Sequence, residues 1–249
     1  MNQAVSAVSA FFPCYNDEPS IATMVETVVG ALQELGISDH EVIVVNDGST
    51  DGSAAVLAAL AEREPALRVV THQRNQGYGG ALLSGFAAAR KEWVFYTDGD
   101  GQFDPAEISR LVAAASADVD VVQGYKIRRA DGVLRTVIGR VYHRFVAFFF
   151  GLRIRDTDCD FRLLRRDALD HVELVHTTGV ICVEMVRKLQ DAGARFTEVP
   201  VHHYRRIHGK SEFFRLPAIA RTLWGLAGLW WQLVVLRRGR REERSRASS

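Results

Sequence analysis

Asp98-Gly99-Asp100 is the segment whose residue types and spacing offer the most definite chemistry. Two carboxylates at i and i+2 across a glycine can face one divalent cation, because glycine permits a tight backbone path. Mg²⁺ or Mn²⁺ prefers oxygen ligands and keeps positions open for water or substrate phosphates. Gln102 offers a further carbonyl oxygen. A calcium EF-hand is excluded, since its loop needs glycine where Phe103 stands. The pair directly follows an apolar, β-rich run at 93–97, and three similar runs are followed by similar loops. Pro13-Cys14-Tyr15-Asn16-Asp17-Glu18 follows 5–12, Asn46-Asp47-Gly48-Ser49-Thr50-Asp51-Gly52 closes the run at 41–46, and Arg74-Asn75-Gln76-Gly77-Tyr78-Gly79-Gly80 follows 67–71. Turns favour Gly, Asn and Asp singly. Four consecutive strand ends of this kind make one edge of a sheet chemically dense, and ligands of open α/β sheets bind at that edge.

Other nucleotide motifs are absent. No G-x-G-x-x-G follows the first run, so a dinucleotide site of that type is excluded. Gly209-Lys210-Ser211 fails as the end of a P-loop, because the required first glycine falls on Tyr204. His202 and His203 fall on opposite faces of a strand and cannot chelate one ion together.

The elements that must position these loops follow from periodicity. Strands are expected at 5–12, 41–46, 67–71, 93–97 and 119–123, with helices at 20–35, 53–63, 81–91 and 105–115 between them. Such alternation, with strands too apolar for a wet face, predicts an α/β fold with a mostly parallel sheet covered by helices on both sides. Beyond residue 125 the pattern changes to a basic, turn-like stretch at 125–135 and a helix at 135–152 carrying an apolar run at 145–150. A strand at 161–164, a helix at 180–192, a strand at 195–204, an apolar helix at 216–236 and an Arg-rich tail complete it. The expected division is a catalytic α/β domain at 1–212, then a C-terminal helix and basic tail at 213–249.

Composition narrows the class. In 249 residues, 47% hydrophobic and 24% charged residues are ordinary for a globular chain and exclude disordered, collagen-like and coiled-coil readings. A net charge of +1 supplies no global basic field for nucleic acid. Three dispersed cysteines, Cys14, Cys159 and Cys182, argue against a disulfide framework and for a reducing, cytoplasmic compartment. The first residues lack the basic flank and apolar core of a signal peptide.

Four ordered segments, at 12–18, 44–53, 74–82 and 98–105, resemble the family 2 glycosyltransferases. Asp158-Cys159-Asp160-Phe161-Arg162-Leu163, the segment 198–201 and Arg206-Ile207-His208-Gly209-Lys210-Ser211 resemble dolichol-phosphate mannose synthase and related polyprenyl-phosphate glycosyltransferases. The resemblance implies a GT-A fold, a nucleotide-sugar donor (GDP-mannose or a UDP-sugar) and Mg²⁺ or Mn²⁺. Pro13, Tyr15, Glu18 or the adjacent Asp17, Asp47, Arg74 and Gly77 would line the nucleobase and ribose pocket. Asp98, Asp100 and Gln102, with Gly99 between the acids, would hold the metal and the donor diphosphate. Arg206 and Ser211 would clamp a phosphate. Arg135 and Arg140 fall where the family places acceptor-phosphate arginines. Two positions depart from the pattern: Asp160 stands where glycine is common, and Gly139 where some relatives carry serine.

The expected acceptor is a polyprenyl or dolichyl phosphate. A hydroxyl acceptor is the alternative and would require a base, with Asp158 or Asp160 as candidates; the other reading of these two acids is a turn or an ion pair with Arg162 or Arg165. Asp47, as a turn acid, is expected to pack nothing. The helix at 216–236 contains Arg221 and Gln232 and ends in Trp230-Trp231 before Arg237. Tryptophan beside a basic run suits a helix lying on the cytoplasmic membrane face rather than spanning it. That helix and the run at 145–150 are both expected to face the bilayer, with the acceptor phosphate held between them.

Overall fold

The structure is a computed structural model that describes residues 4–129, 133–205 and 216–236. Seven strands form one mixed sheet: β1 (Ala7–Cys14), β2 (Asp39–Asn46), β3 (Leu67–Thr71), β4 (Trp93–Thr97), β5 (Val121–Arg129), β6 (Phe161–Arg165) and β7 (Phe196–His203). Their spatial order is β3-β2-β1-β4-β6-β5-β7. β6 runs antiparallel to both β4 and β5, and every other pairing is parallel. The helices are α1 (Ile21–Glu34), α2 (Ser53–Ala61), α3 (Tyr78–Ala88), α4 (Ile108–Ala114), α5 (Val133–Phe150), α6 (Arg166–Asp170), α7 (Val180–Asp191) and α8 (Leu216–Trp230), the last continuing as a π-helical segment, Trp231–Leu236.

Alternate residues of each strand enter opposite cores. Phe12, Val44 and Phe95 pack with α1, α2 and α4, whereas Phe11, Ile43, Val45, Val94 and Tyr96 pack with α3 and α7. A third cluster joins Val146 and Phe150 of α5, Val183 and Val186 of α7, and Leu226, Leu229 and Leu233 of the C-terminal helical segment.

Chain order reverses between β1 and β4, so their carboxyl ends flank the crevice where doubly wound sheets take ligands. Local chemistry fixes both sides. The Asp17 carbonyl accepts the Ser20 and Ile21 N–H groups at 3.0 Å, starting α1, and Ser20 Oγ donates to the Gly99 carbonyl at 2.8 Å. Beyond β4, the Asp104 carboxylate accepts the Ala106 N–H at 2.9 Å ahead of a 3₁₀ turn at Pro105–Glu107 that leads into α4.

Several expectations change. Pro13 and Cys14 are buried inside β1 instead of following it. The stretch expected to be turn-like is strand through Arg129, paired with β7 across a register shift between Lys126 and Arg128. The end of β5 alternates poorly in sequence because it mixes basic residues with Ile127, which is exposed. The short α6 was not expected at all. Arg206 and Ser211 lie outside the described residues, as does the Arg135 side chain.

Candidate active site

The first two loops are stitched together by their own polar groups. Asn16, at φ 58°, accepts the Thr50 N–H at 2.8 Å through Oδ1, and its own N–H donates to Ser49 Oγ at 3.1 Å. Glu18 accepts the Gly52 N–H at 2.9 Å, and the Glu18 N–H donates to Asp51 at 3.1 Å. The Asp17 carboxylate accepts the Tyr15 N–H at 3.0 Å. Tyr15 and Arg74 are exposed at the rim.

Asp47 is buried and does more than turn the chain. Its Oδ1 accepts the Gln76 N–H at 2.8 Å and lies 2.6 Å from His72 Nδ1, while its Oδ2 accepts the Gly77 N–H at 3.0 Å. The carboxylate therefore organises the third loop, contrary to the expectation that it packs nothing. Gly77 has φ +87°, and a β carbon there would stand 2.7 Å from the Thr177 carbonyl oxygen.

Gly99 is required for a reason other than the expected one. Its φ is not positive; instead its N–H donates to the Pro13 carbonyl at 3.2 Å, and a β carbon would meet that oxygen at 2.7 Å. The close approach seats the acid pair against β1. Asp98 accepts the Tyr78 hydroxyl at 2.8 Å, and Asp100 accepts the Gln102 N–H at 3.0 Å. Burial, then the carboxylates of Asp160 and Asp100, push the Asp98 carboxyl well above the usual range. Gln102 is anchored to Tyr204, whose N–H donates to the Gln102 carbonyl at 2.8 Å. Tyr204 is thus held beside the acid pair.

The far wall comes from residues that sequence reasoning mostly missed. Asp160 pairs with the buried Arg162 at 3.1 Å and accepts the Cys182 thiol at 3.2 Å. Arg162 also donates to Gln123, the Tyr96 hydroxyl and the Thr157 carbonyl. Lys126, aimed inward at the register shift of β5, donates to the Asp158 carbonyl at 2.6 Å. Tyr142 of α5 lies close enough that Asp158 and Asp160, after burial, raise its hydroxyl's pKa. The i+2 alternation of Asp158, Asp160 and Arg162 was the available signal for this wall.

α5 is divided. Val146 and Phe150 are buried, whereas Ile138, Val141, Phe145, Phe148 and Phe149 are exposed, Phe148 by 81%. Arg140 and Arg144 are also exposed on this helix. α8 is divided likewise: Leu226 and Leu229 are buried, while Leu223 and Trp224 are exposed, as is Trp231 just beyond it. The two helices meet where Trp230 Nε1 donates to the Phe149 carbonyl at 3.0 Å. Both segments were expected to face the bilayer; each gives one face to the third core and leaves apolar side chains exposed on the other. Among the described residues no helix is long and apolar enough to cross a membrane.

A mixed α/β sheet with an acid pair at the switch point beside β4 defines the GT-A class. The chain belongs to glycosyl transferase family 2, whose family model matches residues 9–173. It is 31% identical over 213 residues to an undecaprenyl-phosphate 4-deoxy-4-formamido-L-arabinose transferase of Enterobacter sp. strain 638, covering 85% of this chain and 64% of that protein. Transferases of the same name from Sodalis glossinidius (32% identity, 93% and 68% coverage) and Pseudomonas aeruginosa (34%, 84% and 61%) are similar too. The chain thus spans about two thirds of the length of these relatives. Among solved structures, it shares its fold with glucosyl-3-phosphoglycerate synthase from Mycobacterium tuberculosis bound to Mn²⁺, UDP and phosphoglyceric acid. That match has a TM-score of 0.69 and 19% identity, covering 91% of this chain and 80% of the other.

Proposed function

We propose that the protein transfers a sugar from a nucleoside-diphosphate donor, GDP- or UDP-linked, to a polyprenyl phosphate at a membrane surface. The observation that carries this reading is a juxtaposition. An acidic crevice at the switch point adjoins α5, whose His143 hydrogen-bonds Thr157 at 2.9 Å next to Asp158, and α5 and α8 each expose apolar side chains and meet where Trp230 donates to the Phe149 carbonyl. The relatives' names point to the same acceptor class.

A divalent cation fits the donor set. Asp98 and Asp100 are oxygen ligands, and the charges of Asp160 and Asp100 raise the Asp98 carboxyl's pKa, a repulsion that a cation would relieve. Among the described residues no three His, Cys, Asp or Glu side chains gather around one point, so water and donor phosphates would complete the shell. Mg²⁺ or Mn²⁺ there would neutralise charge growing on the leaving diphosphate. Gln102 holds Tyr204, and Arg206 and Ser211 would clamp those phosphates. Pro13, Tyr15, Asp17, Glu18, Asp47, Arg74 and Gly77 frame the nucleoside, Pro13 through its carbonyl against Gly99.

A phosphate monoester has a second pKa of about 6, so the acceptor is already a dianionic nucleophile at neutral pH. Its oxygen forms the bond to the anomeric carbon, and the nucleoside diphosphate leaves with the electron pair of the broken C–O bond. Arg135 and Arg140 orient the acceptor phosphate. No base is needed, which suits a wall in which Asp160 is committed to Arg162. Asp158 lies beside that wall and would border the acceptor.

The test is incubation with undecaprenyl phosphate, Mn²⁺ and a panel of labelled GDP- and UDP-sugars. Label in the organic phase, lost on adding EDTA, is expected. Transfer only to a soluble hydroxyl acceptor would overturn the reading.

A further inference from the structure

A row of three side chains, Asp47, His72 and Ser84, runs behind the donor crevice. His72 Nδ1 lies 2.6 Å from Asp47 Oδ1, and His72 Nε2 lies 2.8 Å from Ser84 Oγ. An ionised carboxylate only accepts, so Nδ1 carries the hydrogen toward Asp47. The imidazole is buried, yet it borders a cleft of about 460 Å³ with Thr71, Gln73, Arg74 and Gln76. The order resembles a hydrolytic triad. However, Ser84 lies within α3 among the buried Ala81, Leu82 and Gly85 and turns its hydroxyl to the imidazole, so it offers no nucleophile.

The distribution of bonds on Asp47 shows what the row accomplishes. Oδ1 takes two donors, from His72 and the Gln76 N–H, whereas Oδ2 takes one, from the Gly77 N–H. Oδ2 keeps a lone pair for a ligand N–H or O–H. Without the imidazole, Oδ1 loses its only side-chain donor and the carboxylate is held by backbone N–H groups of a single loop. Ser84 braces the ring from α3, a rigid element, so the direction of Oδ2 is set by the fold rather than by the loop.

We infer that His72 is a positioning residue for donor binding: braced by Ser84, it fixes the Asp47 carboxylate so that Oδ2 faces the nucleoside. The inference rests on the proposed reading of Asp47 as a donor-binding acid. His72 itself lies outside the motifs, because it precedes the third loop's motif.

The test uses the full chain, with UDP and GDP as probes in Mn²⁺, by calorimetry, together with donor KM and kcat in the transfer assay. His72→Asn places an amide N–H near the position of Nδ1 and keeps the bond to Asp47. His72→Gln reaches toward Ser84 instead. His72→Gln and His72→Ala are expected to raise the nucleotide Kd and donor KM roughly ten- to hundredfold, with kcat little changed. His72→Asn is expected to restore most of the affinity. Melting temperature checks that each variant folds. Equal affinity of the Asn and Gln variants, or unchanged affinity in a folded Ala variant, would overturn the inference while leaving the proposed function intact. Wild-type protein that binds neither probe would overturn the donor-site reading, and this inference with it.

Discussion

At Gly99 a single β carbon would strike the Pro13 carbonyl oxygen at 2.7 Å, and both atoms belong to strands or loops that cannot yield separately. Overpacking of this kind costs about 1–3 kcal/mol. Gly99→Ala should therefore lower the melting temperature modestly and reduce turnover much more, because the shift falls on the acid pair. Equal losses in stability and rate would assign Gly99 to packing alone. Asp100→Ala tests the pair itself: if Asp100 holds the proposed metal, which would supply several kcal/mol of charge stabilisation, its removal should reduce transfer by roughly a hundredfold or more, with the fold retained. Transfer at the wild-type rate would remove Asp100 from the metal site. The acid pair and the Gly-rich loops were legible because each follows an apolar run. Asp47's bond to His72 was not, since 25 residues separate the partners and nothing local marks them. The ion pair of Asp160 with Arg162 was legible from their i, i+2 spacing, whereas the full burial of Arg162 was not, since it depends on β6 lying between β4 and β5.

Among the elements, β3 and β4 match their expected limits to the residue, because both are short apolar runs bounded by polar turns. The end of β5 was hidden by its basic residues, and the direction of β6 cannot be read from its own five residues. The apolar run in α5 announced burial or lipid without saying which residue does which. The structure separates them, and that yields a paired prediction. Phe150→Ala should cost about 3–5 kcal/mol in denaturant unfolding, as a cavity in the third core. Phe148→Glu should leave unfolding nearly unchanged yet weaken binding to anionic vesicles in flotation. Arg140 and Arg144 add attraction of about 1 kcal/mol each near an anionic surface, screened by salt within about 8–10 Å. If Phe148→Glu floats like the wild type, the exposed face serves something other than lipid.

For the whole molecule, acid stability follows from a carboxylate buried where α7 meets the loop before it. Burial alone would raise the Glu184 pKa, but hydrogen bonds from His176 and Lys188 hold it down at about 2, against an ordinary 4.5. Its contribution is fully present above pH 4.5 and is lost as pH falls from there through about 2. On the linkage relation this amounts to about 3 kcal/mol. Glu184→Gln should flatten stability across that window in urea titrations; an unchanged pH dependence would show that other carboxylates control acid unfolding. The loop so held carries Thr177, whose carbonyl accepts the Gly79 and Gly80 N–H groups at the start of α3. Acid should therefore loosen the third loop before the sheet unfolds.

The central claim is that a lipid phosphate oxygen attacks the anomeric carbon, with metal and crevice serving the leaving diphosphate. Phosphorus NMR of undecaprenyl phosphate in vesicles, turned over with the donor that labels lipid, reads that bond directly. The account predicts that the monoester resonance is replaced by a phosphodiester resonance as nucleoside diphosphate appears in equal amount. Release of nucleoside diphosphate with sugar transferred and the lipid monoester unchanged would contradict it.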